Sequence, residues 1–513
     1  MQLDFVKKNL FYRGLIVTAA GLPLSNTLMS IGQGLLLLDF ILNFSQYNFK
    51  KLIHVHFLAL PVLYFIHVLW LINTENFQYA FHDLRIKLPL LIIPLLVFSK
   101  ENIIPEKIKK VSFIWVAAVV LATITGVINY HFNLSEYSDL RKLSPFISHI
   151  RLSLMINCGI AFLWLYKTEF RAQYQFAVYI IIIWLVGYLV MLQSLNGLII
   201  LMLILVFFLE RAAIKKSRKL LIAINVLLLI MMFIGIRQAE KYYRDNFILS
   251  EQYFAQLPEQ TINGRLYEKI ENYWETENGH SVHALICKEE LLANWSKMST
   301  IPLEGKDRKG QYIYYTLIRY MTSKGLSKDS LGLTRLTAED IEAVENGVTN
   351  YKFKDGFLLK RLYVTLWEWH TFKNKGYVGK SSSVRRWLYW KTAFAIIQNH
   401  FWWGTGTGDV ADAYKTQYAK NNLNLLPEDQ KRAHNQFITF FVTFGFIGGM
   451  ITLILLAFPF YRNRNLMFLI FYGIALLSFI TEDTLETQAG VTFFAFLYAL
   501  FYLLPQPKLN PHT

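Results

Sequence analysis

The sequence predicts an all-α integral membrane protein, with about twelve transmembrane helices and a large, mostly helical insert late in the chain. Three observations predict it. Apolar residues make up 54% of 513 and mean hydropathy is +0.30, which exceeds what a soluble domain can hide in its core. Apolar runs of about 16–24 residues recur, each long enough for a hydrocarbon layer of roughly 30 Å. Between Gln238 and Ala433 the long apolar runs stop, charges of both signs appear, and Gly279, Gly305, Gly310 and Gly325 punctuate short helical patterns.

In chain order the runs lie near 9–24, 27–44, 52–72, 85–99, 110–129, 146–166, 174–192, 195–210, 219–237, 435–460, 465–481 and 488–505. Only Pro23 and Ser25-Asn26-Thr27 separate the first two, which therefore read as a broken hairpin. The first has no small-residue cleavage site and is expected to stay as an anchor. The fourth carries Pro89 and Pro94, so it is expected to be kinked or re-entrant. Three parts follow: an N-terminal bundle at 1–237, the insert at 238–434, and a C-terminal bundle segment at 435–513.

Lysine and arginine asymmetry orients the chain. One set of short loops collects Lys50-Lys51, Lys100 with Lys107, Lys109 and Lys110, Lys167 with Arg171, and the run from Arg211 to Lys219. The loops of the other face hold far fewer, Arg85, Lys87 and Arg151 among them. Both termini are then expected in the cytoplasm and the insert outside. The net charge of +16 is spread through loops without an aromatic-interleaved basic patch, which points to membrane lipid headgroups and not to nucleic acid. A synthetic enzyme on the outer side has no nucleotide-activated pool, so its substrate must arrive already activated on a lipid carrier.

Cys158 lies in a span and Cys287 in the insert, which makes neither a disulfide framework nor a metal spacing. The sequence carries no HExxH, no Walker A and no nucleophile elbow, and no cofactor is expected. Gly404-Thr405-Gly406-Thr407-Gly408 looks like a phosphate loop, but it lacks the preceding strand and following helix that would make its amides converge.

The pattern that carries chemistry closes the insert. Ser381-Ser382-Ser383-Val384-Arg385-Arg386 precedes an amphipathic helix from Trp387 to Ile397. Ser383 is a candidate cap, which would put both arginines in the first turn, where free amides also favour an anion. Next come His400-Phe401-Trp402-Trp403, the glycine turn, a polar linker, His434-Asn435-Gln436-Phe437, and Gly445-Phe446-Ile447-Gly448-Gly449.

Over about 381–450 this order resembles the conserved region of the O-antigen ligase and polymerase superfamily. Its members are bacterial polytopic glycosyltransferases that act on undecaprenyl-pyrophosphate-linked glycans. About twelve spans with a large outer loop before the last three extend the likeness to the whole chain and to a glycosyltransferase C-like architecture. Asn278-Gly279 to Trp295 and Arg319 to Asp329 resemble an elaboration of Bacteroidetes-type members. The resemblance implies an inner-membrane enzyme with a periplasmic site. It implies metal-independent, inverting transfer from undecaprenyl pyrophosphate to an acceptor sugar hydroxyl, with lipid A-core as acceptor for a ligase or another glycan for a polymerase. A glycan or lipid transporter is the rival of another class. It would need charges inside several spans, where Asp39 and a few histidines are the main ones found.

By the family's pattern His434 maps to the loop histidine proposed as base, a task that suits an imidazole titrating near working pH. Arg386, four residues before Trp390, maps to the arginine that grips pyrophosphate, and Arg385 competes with it by one position. An always-charged planar fork suits that task. Family members also carry a basic residue near the outer end of the sixth span. Ser148-His149-Ile150-Arg151-Leu152 lies there, so Arg151 is the next pyrophosphate candidate, with simple snorkelling as the other reading. Arg265 is a further candidate contact. In Glu482-Asp483-Thr484-Leu485-Glu486-Thr487, either Glu482 or Glu486 orients the histidine or an arginine, or the loop is merely solvated. Asn435 is a secondary candidate beside His434. Ser194-Leu195-Asn196-Gly197 stands where the family usually has an arginine, so no such role is expected there.

Overall fold

The computed structural model describes residues 2–53, 55–132, 140–271, 274–354, 356–379, 381–421, 425–462 and 465–507. It divides into two compact units, one of Met1–Ala212 with Arg386–Thr513, the other of Ala213–Arg385. These limits differ from the 237/238 and 434/435 boundaries drawn from hydropathy, because hydropathy marks where the chain leaves the bilayer whereas a unit is marked by what packs together.

The first unit opens with α1 (Gln2–Leu24) and α2 (Asn26–Leu42), the expected broken hairpin, and Ser25 caps α2 by accepting from the Leu28 amide. Then come α3 (Val55–Leu69), α4 (Phe77–Lys87), α5 (Pro89–Ser99), α6 (Pro105–Phe132), α7 (His149–Tyr166), α8 (Ala172–Met191) and α9 (Leu195–Lys216). The run near 85–99 is broken, as its prolines predict. Pro89 stands in the first turn of α5 and ends α4, leaving eleven residues that reach about 16 Å, too short to cross alone.

In the second unit, α10 (Arg218–Phe247) is followed by a hairpin of β1 (Thr276–Glu277) and β2 (His280–Ser281). Asn278 and Gly279 turn it with positive φ at both positions, which suits that dipeptide. The helices α11 (Lys288–Trp295), α12 (Ile313–Ser323), α13 (Ser330–Thr334), α14 (Ala338–Glu345) and α15 (Phe357–Lys375) follow. Leu291, Trp295, Ile313, Leu317, Tyr320 and Met321 build a core of their own. Beneath them, buried Glu277 accepts from Arg319 at 2.8 Å and from Asn350 at 2.8 Å. The apolar stretch of α10 buries nothing within the protein, and Leu229 to Ile234 stay half exposed, the surface of a helix whose partner is lipid.

The first unit resumes through α16 (Ser382–Asn399), α17 (Val410–Asn421), α18 (Gln436–Arg462), α19 (Leu466–Thr481) and α20 (Gln488–Tyr502). The cap of α16 is Ser381, whose hydroxyl accepts from the Val384 amide at 3.2 Å, and Ser383 lies inside the helix. Each expected apolar run falls on a helix. Among the described residues six helices are long and apolar enough to cross a membrane: α6, α7, α8, α9, α10 and α18. The protein is thus an all-α membrane protein. Apolar on every side, α20 is the buried centre of its unit, with Phe493, Phe494, Leu497, Tyr498 and Phe501 fully enclosed. Asp39, the acid within a span, is paired: Lys100 reaches it at 2.5 Å and the Tyr47 hydroxyl at 2.6 Å, which accounts for it structurally.

The glycine-rich turn is a clasp. At Gly445 (φ 64) α18 is interrupted, and the carbonyls of Val442 and Thr443 accept instead from the amides of Thr405 (2.9 Å) and Gly406 (3.0 Å). On its other side Asp409 accepts from the amides of Glu75 and Asn76, at 2.8 Å each. The turn therefore ties the junction of α3 and α4 to the opening in α18. A Cβ on Gly404 (φ +70) would stand 2.4 Å from the Gly445 nitrogen and the Thr443 oxygen. Left-handed strain and a backbone collision together predict that Gly404→Ala costs about 2–4 kcal/mol, read as a lowered thermal midpoint in detergent; an unchanged midpoint would mean the clasp does not form.

Candidate active site

At one end of the first unit's bundle, the starts of α7, α18 and α20 meet the end of α19 and the chain between α17 and α18. Buried Thr484 and Leu485 pin the loop from Glu482 to Thr487, so it is not a free solvated loop. Each of its three carboxylates has its own partners.

Asp483 holds the histidine's backbone. Its carboxylate accepts from the amides of His434 and Asn435, at 3.0 Å each, and from the Thr439 hydroxyl at 2.8 Å. Left-handed backbone at His434 (φ 46) is a conformation that costs a non-glycine residue roughly 1–3 kcal/mol and needs such support. On the preceding side Trp390 donates its indole N–H to the Ala433 carbonyl at 2.9 Å. Asn435 caps α18, its side-chain oxygen accepting from the Ile438 amide at 3.0 Å while its amide donates to the Ile480 carbonyl. Burial, and then the nearby Glu486 charge, raise the Asp483 pKa against the pull of Thr439, His434 and Arg432.

Glu482 joins the two groups that the sequence pattern singles out. Its Oε1 accepts from Arg386 Nη2 at 2.8 Å and its Oε2 lies 3.5 Å from His434 Nδ1. The guanidinium and the imidazole thus meet on the two oxygens of one carboxylate, each about one-third exposed. A proton on Nδ1 toward Glu482 leaves Nε2 with its lone pair. Arg151, in the first turn of α7, donates from Nη2 to the Thr487 hydroxyl, just beyond the same loop.

Glu486 sits deepest. Arg432 reaches it at 2.6 Å, Lys87 at 3.0 Å and the Gln436 amide at 3.1 Å. Burial by itself would raise its pKa, but Lys87 and Arg432 outweigh it and hold the carboxyl well below the usual range. Asp83 shares Lys87 at 2.6 Å, and burial pushes it up to about 6. Arg432 also reaches the Tyr79 hydroxyl.

Of these groups, Tyr79, Arg151, Arg432, His434 and the carboxylates of Glu482, Asp483 and Glu486 line an open cavity of about 700 Å³. Arg151, Lys415, Lys431 and Arg432 supply fixed positive charge to its walls, His434 lies among them, and Tyr79, Tyr414 and Tyr418 add rings. Glu482, Asp483 and Glu486 share these walls, so fixed cations outnumber fixed anions slightly beside the imidazole. The remaining candidates belong to the second unit. Arg385 donates to the Gly379 carbonyl, from Nε at 2.9 Å and Nη2 at 2.6 Å, and half-exposed Arg265 pairs with Glu289. In the stretch Ser194-Leu195-Asn196-Gly197, where no arginine stands, Asn196 donates to the Thr481 hydroxyl at 3.0 Å.

Sequence reasoning passed over Asp483, Arg432, Lys87 and Tyr79. Arg432 stood two residues from His434, and Asp483 lay inside the acidic loop, so both were findable by position. Lys87 and Tyr79 offered no signal, because α4 reaches the site only through folding.

Residues 357–453 match the family described as O-Antigen ligase, which contains the 381–450 stretch expected from the motif order. The likeness to that family is confined to this segment, which holds Arg386 and His434 but neither Arg151 nor the loop from Glu482 to Thr487. Among curated proteins, none matches the chain.

Glu486→Gln keeps the shape and removes the charge, leaving Lys87 and Arg432 uncompensated, so a loss of about 3–5 kcal/mol is expected. Because the folded-state pKa is depressed, this contribution is complete above the unfolded carboxyl's 4.5 and is lost as pH falls from there toward the folded value. Thermal midpoints of the two proteins should therefore differ by a constant amount between about pH 5 and 7 and converge in stronger acid. A gap that closes already near neutral pH would contradict the pairing.

Proposed function

We propose that this protein is an O-antigen ligase of the bacterial inner membrane, which transfers a glycan from undecaprenyl pyrophosphate to a sugar hydroxyl of lipid A-core on the periplasmic face. The observation that carries the reading is the meeting of His434 and Arg386, both within the matched family segment, on Glu482 beside a cavity walled by further cations. The charge asymmetry of the loops supports the periplasmic placement.

In this reading the acceptor hydroxyl gives its proton to His434 Nε2 as its oxygen attacks the anomeric carbon. The new C–O bond forms on the face opposite the leaving group, so an α-linked donor becomes a β-linked product. The bond from the anomeric carbon to the pyrophosphate oxygen breaks, and its electron pair leaves with the lipid pyrophosphate. Arg386 and Arg151 hold that growing negative charge, Arg386 after releasing Glu482 and Arg151 from the α7 turn. Glu482, facing Nδ1, balances the imidazolium formed during the transfer. Asp483 keeps the imidazole in position through the backbone and touches no reacting atom.

His434→Ala is expected to lower kcat at least about 100-fold, the low end for a general base, with lipid-linked donor retained on the membrane. Arg386→Ala and Arg151→Ala each remove charge-assisted contacts of about 1.5–3 kcal/mol and should lower kcat/KM by roughly 10- to 100-fold. Transfer by His434→Ala at the unmodified rate would sink the mechanism. Membranes given donor alone separate the two activities of the superfamily: a ligase leaves the donor unchanged until lipid A-core is added, whereas lengthening without acceptor would make the protein a polymerase.

A further inference from the structure

Behind the cation-lined cavity lies a second groove of about 800 Å³, and α17 is the wall between them. Ala411, Tyr414, Lys415 and Tyr418 face the first, at a spacing of 3, 1 and 3 residues that keeps them on one side of a helix. Asp412, Ala413, Thr416, Gln417 and Lys420 face the second. At about 100° per residue the two sets point in opposite directions.

Their chemistry is opposed too. The second groove carries one lysine, Lys420, against Glu75, Asp409 and Asp412, a negative balance that disfavours a phosphate, whereas the first sets Arg151, Lys415, Lys431 and Arg432 against Glu482, Asp483 and Glu486. Its other polar walls are amides and hydroxyls, Asn73, Asn76, Asn399 and Thr416 among them. Among the described residues the Thr416 hydroxyl, the His400 ring and the Glu75 carboxylate have no hydrogen-bond partner and remain available to a ligand. Ile72, 86% exposed, adds apolar surface. Asn73 and Asn399 each donate within the protein, to the Gly404 carbonyl and to Gln417, and keep their amide oxygens for a ligand, while Asn76 is engaged at both ends by Asp412 and the Tyr79 amide. With the groups above, these oxygens suit sugar hydroxyls, which donate and accept, and exposed Ile72 suits the C–H face of a sugar ring.

We propose that this groove is a saccharide-binding site for uncharged or amine-bearing sugars. It holds glycan beyond the reacting residue while the pyrophosphate occupies the cavity on the other side of α17. The inference rests on the transfer reading above for its place in the reaction, though not for the binding itself. Donor glycan and acceptor oligosaccharide share this chemistry, and the test separates them.

The probes are O-polysaccharide released from its lipid, core oligosaccharide freed of lipid A, and inorganic pyrophosphate, each titrated into the full-length protein in detergent. Thr416→Trp fills the groove and Asn399→Ala removes an amide from it; thermal midpoints check that each variant is folded, and the exposed Asn399 position provides the second variant should the first fail. At least about a tenfold rise in Kd for one saccharide, with pyrophosphate affinity unchanged, is expected. The polysaccharide affected identifies the donor chain, and the core oligosaccharide identifies the acceptor. His434→Ala should bind saccharide normally while losing transfer. Unaltered saccharide affinity in both variants, or a loss confined to pyrophosphate, overturns the groove's assignment. Saccharide binding without any transfer by the unmodified protein would instead overturn the ligase reading and leave the groove standing.

Discussion

Burial of the loop between α19 and α20 is the constraint from which the site follows. With Thr484 and Leu485 buried, the loop presses Asp483 and Glu486 into the bundle's end, where an unpaired charge costs several kcal/mol, and leaves Glu482 partly exposed at the rim. Each recruits its partners from a different part of the sequence: Glu486 takes Lys87 from α4 and Arg432 from the linker, Asp483 takes the amides before α18, and Glu482 takes Arg386 from α16. Convergence of distant cations on one loop is thus an electrostatic requirement before it is a catalytic arrangement. The histidine is brought in by the same requirement, since Asp483 binds its backbone while Glu482 faces its ring.

The clasp serves the same end by other means. A helix that opened at Gly445 without compensation would leave carbonyls unsatisfied near the bilayer, where water is scarce. The glycine turn supplies the missing donors and, through Asp409, fixes the segment that leads into α4. Lys87 and Tyr79 reach Glu486 and Arg432 because α4 is held there. What looked like a phosphate loop in the sequence is therefore a structural joint, and its amides are used by α18.

Charge also divides the space around α17. The face with Lys415 belongs to a cavity rich in fixed cations, and the face with Asp412 belongs to a groove rich in carboxylates and amides. A glycan linked to a pyrophosphate has this same division, one end densely anionic and the rest hydroxylated. A wall one helix thick, about 10–12 Å with its side chains, separates the two environments.

The helical class, the places of the apolar runs, the break at Pro89 and the candidacy of His434 and Arg386 were all legible in the chain, because length, hydropathy, proline geometry and a local motif are properties of contiguous residues. Ser381 in place of Ser383 as cap, and a compact unit that begins at Ala213, were not, since several serines or boundaries satisfy the same local rule. Which acid would hold which base was equally hidden: Glu482, Asp483 and Glu486 are interchangeable by composition, and Lys87 carries no mark of its role. Sequence alone determined that the protein is a membrane helix bundle and which short segment matches the O-antigen ligase family. Only the tertiary structure decided the pairing at the site and the second groove, because both depend on charges and surfaces far apart in the chain being enclosed together, where the cost of burial selects one arrangement.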